Sequence, residues 1–329
     1  MNYLKKYVLL LLLIFTPANG DIRGINWFGF ETEYSNLMCS WSHTIEWNLD
    51  KMMELDFNYV RLPFSLEFIH DNQFGRMDEF FDLTRDKNMS VLLDFHRLEK
   101  THQSATPYNN KYTFDNFLDG WITILNRYKE YNNLRAIDIF NEYQSDNFVE
   151  WNSLARQIVS HIESYYPSRF IYYVGGTRWG GDIHFMDLDD LGLDVKYTIH
   201  KYWFSDTPPR NDKWEYSFGI EEHNTTDIMV GEFGFISSNK NEVDFFKEMI
   251  EFLHLNQIKD TFFWTWSFNS GDTGGILKED CESIDYVKMD LLKKLWYEEK
   301  RNLRANVPAI GSPDETHGTG FILKNLILV

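Results

Sequence analysis

Glu142 and Glu232 each follow directly on an apolar run of the sequence, Ala136–Phe140 and Asp227–Gly231, in the contexts Asn141-Glu142 and Gly231-Glu232. Other such runs lead into Arg61, His96, and His200 with Tyr202. An ionised carboxylate beside buried apolar segments is tolerated only with partners. Arg61 and Tyr202 have the chemistry to give one acid a positive charge and a hydrogen bond, and the other is then kept protonated by its neighbour's negative charge. A neutral and an ionised carboxyl side by side are what glycosidic bond cleavage requires: one protonates the departing oxygen while the other attacks or activates water. For any single Glu the competing explanation is a solvated surface residue; the matched placement of both is what points to chemistry.

The runs that must position these residues follow a regular beat. Strand-like segments are Ile22–Trp27, Asn58–Leu62, Ser90–Phe95, Ala136–Phe140, Phe170–Val174, Val195–His200, Asp227–Gly231 and Thr261–Trp266. Most are near-continuously apolar, as strands covered on both faces must be. Helical patterns fill the intervals: Thr44 to Leu55, a run opened by Asp115-Asn116 and reaching Tyr128, Phe148 to Tyr165, Asn241 to Leu255, and Ile284 to Tyr297. Asp182 to Asp194 is weaker and predicts only a short helix. Eight β/α units permit a closed barrel or an open doubly wound sheet. The open sheet usually carries a glycine-rich phosphate loop after its first strand, and Trp27-Phe28-Gly29-Phe30-Glu31 cannot serve as one. The fold expected is therefore α/β, a single (β/α)8 TIM barrel. Its chemistry lies at the carboxyl ends of the strands, where Arg61, Asp94-Phe95-His96, Asn141-Glu142, His200-Lys201-Tyr202, Glu232 and Trp264-Thr265-Trp266 fall.

Other chemistries fit less well. His96 and His200 raise the question of a metal, but no HExxH spacing occurs and their neighbours are aromatic, so neither metal nor cofactor is expected. There is no GxSxG elbow for acyl transfer. A formal charge of −18 removes the basic surface that nucleic acid needs. Aromatic residues make up 17% of the chain, an excess that suits an uncharged ligand which stacks, although most of the phenylalanines belong in the core. Trp264 and Trp266, two apart on one strand, would share a face, with Trp266 at the mouth. Trp41, Trp179 and Trp203 fall in loops after strands one, five and six, where ligand contact explains them better than packing.

Residues 1–20 read as a signal peptide, with Lys5 and Lys6 before a short apolar run and Ala18-Asn19-Gly20 at the cleavage point. The run is too short to span a bilayer. The expected protein is secreted, with its catalytic domain over residues 21–300 and a polar tail over 301–329 to which no domain is assigned. Cys39 and Cys281 form no scaffold or zinc pattern. Closure of a barrel would bring their loops together, so one bridge and two buried thiols are both open. Asn88-Met89-Ser90 and Asn224-Thr225-Thr226 are glycosylation acceptors in a eukaryotic host.

From Arg23 to about Trp296 the chain resembles glycoside hydrolase family 5, the clan A cellulase family, and within it the endo-β-1,4-glucanases of the Acidothermus type. The resemblance is carried by the run Gly24 to Thr32, by Tyr59-Val60-Arg61-Leu62-Pro63, Leu93-Asp94-Phe95-His96-Arg97, Asn141-Glu142, Trp179-Gly180-Gly181, Val230-Gly231-Glu232-Phe233-Gly234 and the run Ser270 to Leu277, in that order. It implies a retaining enzyme with Glu142 as acid/base and Glu232 as nucleophile. Asn141 would hold the sugar 2-hydroxyl, Arg61 and Tyr202 would keep Glu232 ionised, and His96 and His200 would orient substrate. Trp266, or failing it Trp264, would be the platform beside the cleavage point, with Trp41 and Trp179 at neighbouring subsites. Tyr143 departs from the pattern, standing where the family has Pro. The partner implied is a polysaccharide, probed by a monomer free of nucleic acid and, once the leader is removed, of membrane. A mannanase or other β-glycanase of the family, or a non-catalytic carbohydrate-binding barrel, are the rival readings.

Overall fold

A computed structural model describes residues 21–206 and 208–297; the signal segment and the tail lie outside the described residues. Eight parallel strands close into a barrel in sequence order: β1 Arg23–Asn26, β2 Tyr59–Ser65, β3 Ser90–Arg97, β4 Leu134–Asp138, β5 Ile171–Gly175, β6 Val195–Lys201, β7 Ile228–Phe233 and β8 Asp260–Phe263. Pairing of β1 with β8 shuts the ring. The helices are α1 Ile45–Glu54, α2 Leu66–Asp71, α3 Gly75–Asp86, α4 Phe114–Tyr128, α5 Phe148–Tyr165, the single turn α6 Thr177–Gly180, α7 Asn211–Ser217, α8 Lys240–Asn256 and α9 Tyr286–Tyr297.

Local chemistry explains most boundaries. Thr113 caps α4 in a reciprocal capping box with Asn116, so the helix opens one residue earlier than Asp115. Asn147 caps α5 through Glu150 N, and Asn239 caps α8 through Asn241 N. Between Asp182 and Asp194 only the short 3-10 turn Asp189–Leu191 forms. The two helices between β2 and β3 carry weaker signals: α2 is six residues long, and α3 has no side-chain cap.

Three strand ends differ from the sequence reading, and each matters for the site. β2 runs on through Pro63 to Ser65, in register with β3 as far as Phe64, so Arg61 lies inside the barrel and not at its rim. β4 stops at Asp138, leaving Asn141-Glu142 just beyond it. β8 stops at Phe263, so Trp264 and Trp266 are outside the strand and need not share a face. The main apolar core fills the space between strands and helices. A separate cluster of Tyr59, Leu92, Ala136, Tyr173, Met229 and Phe262 plugs the barrel interior. A disulfide joins Cys39, after β1, to Cys281, after β8, with Cα atoms 5.5 Å apart.

Candidate active site

Along each strand alternate side chains face inward. Two residues beyond the interior plug this alternation places Arg61, Asp94 and Asp138, and β3 and β4 pair Asp94 directly with Asp138. Glu232 arrives differently. The β6–β7 register slips so that Ile199 pairs with Val230 but His200 pairs with Glu232, skipping Gly231. That bulge turns Glu232 to the same side as His200. Gly231 is required at the slip, because a Cβ there would lie 2.2 Å from Thr198 Oγ1.

Arg61 is fully buried and organises the site. Its Nη1 donates to Glu232 Oε1 at 2.7 Å and to Asn26 Oδ1 at 2.9 Å. Its Nη2 donates to Asp138 Oδ2 and to Asn141 Oδ1, both at 2.8 Å. Nη1 also lies 3.1 Å from Asp94 Oδ2. Burial works against the guanidinium charge, but Asp94, Asp138 and Glu232 outweigh it and hold Arg61 cationic. One cation among three buried carboxylates leaves an excess of acid. Burial, opposed by Arg61, pushes Asp94 up to about 7 and Asp138 well above the usual carboxylate range, so this cluster keeps protons near neutral pH.

Glu232 receives a second donor, Tyr202 Oη, on Oε2 at 2.8 Å. Burial and the Glu232 charge push that phenol well above its ordinary value, so it stays a donor. Glu142 lives in another setting. Burial, opposed by Arg61 and reinforced by the charge of Asp272, pushes its carboxyl up to about 7. Oε1 of Glu142 lies 3.0 Å from His200 Nδ1. Burial pushes His200 down to about 4 and His96 down to about 3, so both are neutral imidazoles at neutral pH. Carboxylate oxygens of Glu142 and Glu232 and a nitrogen of His200 all lie within 4.8 Å of one another. His96 Nδ1 is 2.6 Å from Asp94 Oδ2, and its Nε2 is 3.4 Å from Asn141 Nδ2.

These residues open into a cleft of about 1000 Å3 whose lining includes Glu142, Glu232, Trp179, Trp264, Tyr202 and Phe204. Trp264 is half-buried, stacked parallel to His96 and to Phe28 at ring distances of 5.5 and 5.7 Å, and tied to Ser270 Oγ through Nε1. Trp266 is instead wholly buried, donates to Asn48 Oδ1 at 2.8 Å and meets Phe57 edge-on. The expected order of the two is therefore reversed: Trp264 faces the cleft and Trp266 is core, because the strand ends before either. Trp203 is a second correction. It packs partly buried on the core, while its neighbour Phe204 is exposed in the cleft wall, stacked on Tyr202 at 5.2 Å. Trp41 is exposed in the loop after β1 and is not among the cleft-lining residues.

The turn carrying Trp179 is held to the loop of Glu142. Arg178 and Trp179 both adopt left-handed backbone conformations, disfavoured for side chains of that size. Their amides donate to the carbonyls of Ser145 and Tyr143 at 3.0 Å, which fixes the turn. Tyr143, in the place where Pro was expected, is buried flat against Trp151 at 4.8 Å.

Asn26, Asp138, Asp272 and Phe204 were not singled out from sequence. Asp138 carried one signal, a lone acid inside an apolar run. Two groupings have donor types and spacing suited to a cation, Asp94–His96–Glu232 and Glu142–His200–Glu232. Within the protein Arg61 serves Asp94 and Glu232, and Tyr202 takes the other Glu232 oxygen.

A carboxyl raised to about 7 by burial, Glu142, facing Glu232 across a short gap, over an aromatic wall at the mouth of a (β/α)8 barrel, defines a glycoside hydrolase. The sequence model described as cellulase (glycosyl hydrolase family 5) matches residues 18–270, and the chain belongs to that family. It is 25% identical to an endoglucanase of Paenibacillus polymyxa, over 83% of this chain and 82% of that protein. It is 26% identical to the major extracellular endoglucanase of Xanthomonas campestris, over 84% and 68% respectively. Among solved structures, the catalytic domain of that Xanthomonas enzyme superposes with a TM-score of 0.73 at 26% identity, covering 84% of this chain and 94% of the other. A hyperthermophilic endocellulase of Pyrococcus horikoshii superposes with a TM-score of 0.75 at 25% identity, covering 84% and 92%.

Proposed function

We propose that the protein is a secreted, monomeric endo-β-1,4-glucanase that cleaves internal bonds of cellulose or a soluble β-glucan with retention of configuration. The observation that carries this is the closeness of the Glu142 and Glu232 carboxyl oxygens, within 4.8 Å. A gap near 5–5.5 Å suits direct attack, whereas inversion needs about 6.5–9.5 Å to admit a water. Glu142, neutral below about pH 7, protonates the departing oxygen while Glu232, held by Arg61 and Tyr202, attacks the anomeric carbon. Glu142, now ionised, then takes a proton from the water that releases the sugar. Asn141, tied to Arg61, offers its amide to the 2-hydroxyl, and Trp264 underlies a sugar ring with Trp179 further along the cleft. Glucan is favoured over mannan by the endoglucanase names of the relatives, and export by the leader-like start and the Cys39–Cys281 bond.

Glu142→Gln and Glu232→Gln should each remove at least about a thousandfold of kcat on carboxymethylcellulose, with proton NMR of the first-formed product showing the β-anomer. Near-normal turnover in either variant rejects the assignment, and an α-anomer rejects retention. Rates on glucan, mannan and xylan separate the glucanase from a mannanase or other glycanase; binding without sugar release would mark a non-catalytic barrel.

A further inference from the structure

Exposed rings at the β5–β6 side of the cleft form a continuous ladder. Tyr216, on α7, lines the cleft and is 46% exposed. His184 stacks on it at 4.0 Å and meets Phe185 edge-on at 4.3 Å. Phe185, 47% exposed, stacks in turn on Phe148, 37% exposed, at 4.5 Å. Phe148 is the first residue of α5. The ladder is held rigidly: Asn152 Nδ2 donates to the Phe185 carbonyl at 2.8 Å, Ile183 N donates to the Ser217 carbonyl at 2.8 Å, and His184 Nδ1 lies 3.2 Å from Glu222. Core packing does not account for rings left about half open. Apolar surface of this kind on a monomer marks a binding site.

We propose that Tyr216, Phe185 and Phe148 form a glucan-binding strip that carries a β-glucan chain out of the cleft and over the loops after β4, β5 and β6. The inference rests on the glucanase reading and deepens it by naming where a long substrate goes. The strip begins on a residue of the cleft wall, so a chain leaving the cleft at this side meets it next. Its chemistry suits an uncharged, hydroxyl-rich ligand: aromatic surface for the apolar faces of sugars, with the Glu222 carboxylate beside His184 for hydroxyl groups. An acidic chain of charge −18 also disfavours an anionic occupant.

The test is kcat/KM of the full chain on cello-oligosaccharides of increasing length, for wild type, Phe185→Ala and Phe185→Tyr. Phe185→Ala should lose roughly three- to tenfold on the longest and nothing on the shortest that is cleaved, with Phe185→Tyr restoring the loss. Equal losses at every length, or none at any, overturn the strip. So does a concentration-dependent dimer in sedimentation that Phe185→Ala abolishes, since the rings then serve a second copy. Wild type that cleaves no glucan overturns the glucanase reading itself, and the strip with it, a result visible before any variant is measured.

Discussion

The barrel interior holds two layers that the same strands build two residues apart. The lower one, Tyr59, Leu92, Ala136, Tyr173, Met229 and Phe262, is apolar and closely packed. In the upper one Tyr59 gives way to Arg61, Leu92 to Asp94 and Ala136 to Asp138. Both layers are sealed from solvent at nearly every position, yet they answer to different energetics. The lower gains from removing hydrocarbon from water. The upper sets one guanidinium against three carboxylates, an arrangement whose desolvation cost rivals its Coulomb gain. A fold selected for stability alone would continue the lower layer upward. The difference teaches that the second step along β2, β3 and β4 is given over to a polar network that holds the Glu232 carboxylate in place.

The contrast can be broken most sharply at Arg61. Arg61→Lys keeps the charge but cannot reach Glu232, Asp138 and Asn141 together. It should lower kcat/KM by roughly a hundredfold or more; a variant within a few fold of wild type would mean the guanidinium geometry is not what positions Glu232. The counterpart below is Phe262→Ala. This ring lies edge-on to Tyr59 at 5.4 Å and fills the space beside Gly24. Denaturant unfolding should show a loss of about 3–5 kcal/mol, while the folded variant keeps its specific activity. A large fall in activity with stability intact would erase the division between the layers. The smallest effect concerns charge beyond both layers. In the proposed mechanism Glu142 must carry its proton to act as acid, and burial places it at about 7, with Asp272 among the raising influences. The kcat/KM profile should therefore fall as pH rises through about 7. Asp272→Asn, removing a charge that favours the protonated form, should move that limb to lower pH. The neutral imidazoles His96 and His200 titrate far below this window, so a limb that stays put would implicate a different group.

Glu142, Glu232, Arg61, His200 and Tyr202 were legible in the sequence because each ends or follows a strong apolar run; four of them line the cleft and Arg61 lies buried, bonded to Glu232. Asp138 was hidden for the opposite reason, since it sits within such a run and its inward direction depends on the pairing of β4 with β3. Trp264 and Trp266 fall in different settings, cleft and core, because β8 stops at Phe263 and strand alternation does not govern the residues beyond it. Trp203 was taken for a cleft residue where the turn of the chain presents Phe204 instead. The longest of the described helices, α5, was readable end to end, whereas α2 and α3 lack the length or the cap that a linear reading needs.

The sequence by itself determined the order of the strands, the closed barrel and the placement of the two acids Glu142 and Glu232 near strand ends, because apolar periodicity and end residues are local properties of a chain. Only the tertiary structure decided how those acids differ. The slip between β6 and β7 turns Glu232 toward Arg61, and burial beside Asp272 keeps a proton on Glu142. Both outcomes depend on the field and the desolvation produced by residues up to 171 positions apart, distances along the chain that no local pattern encodes.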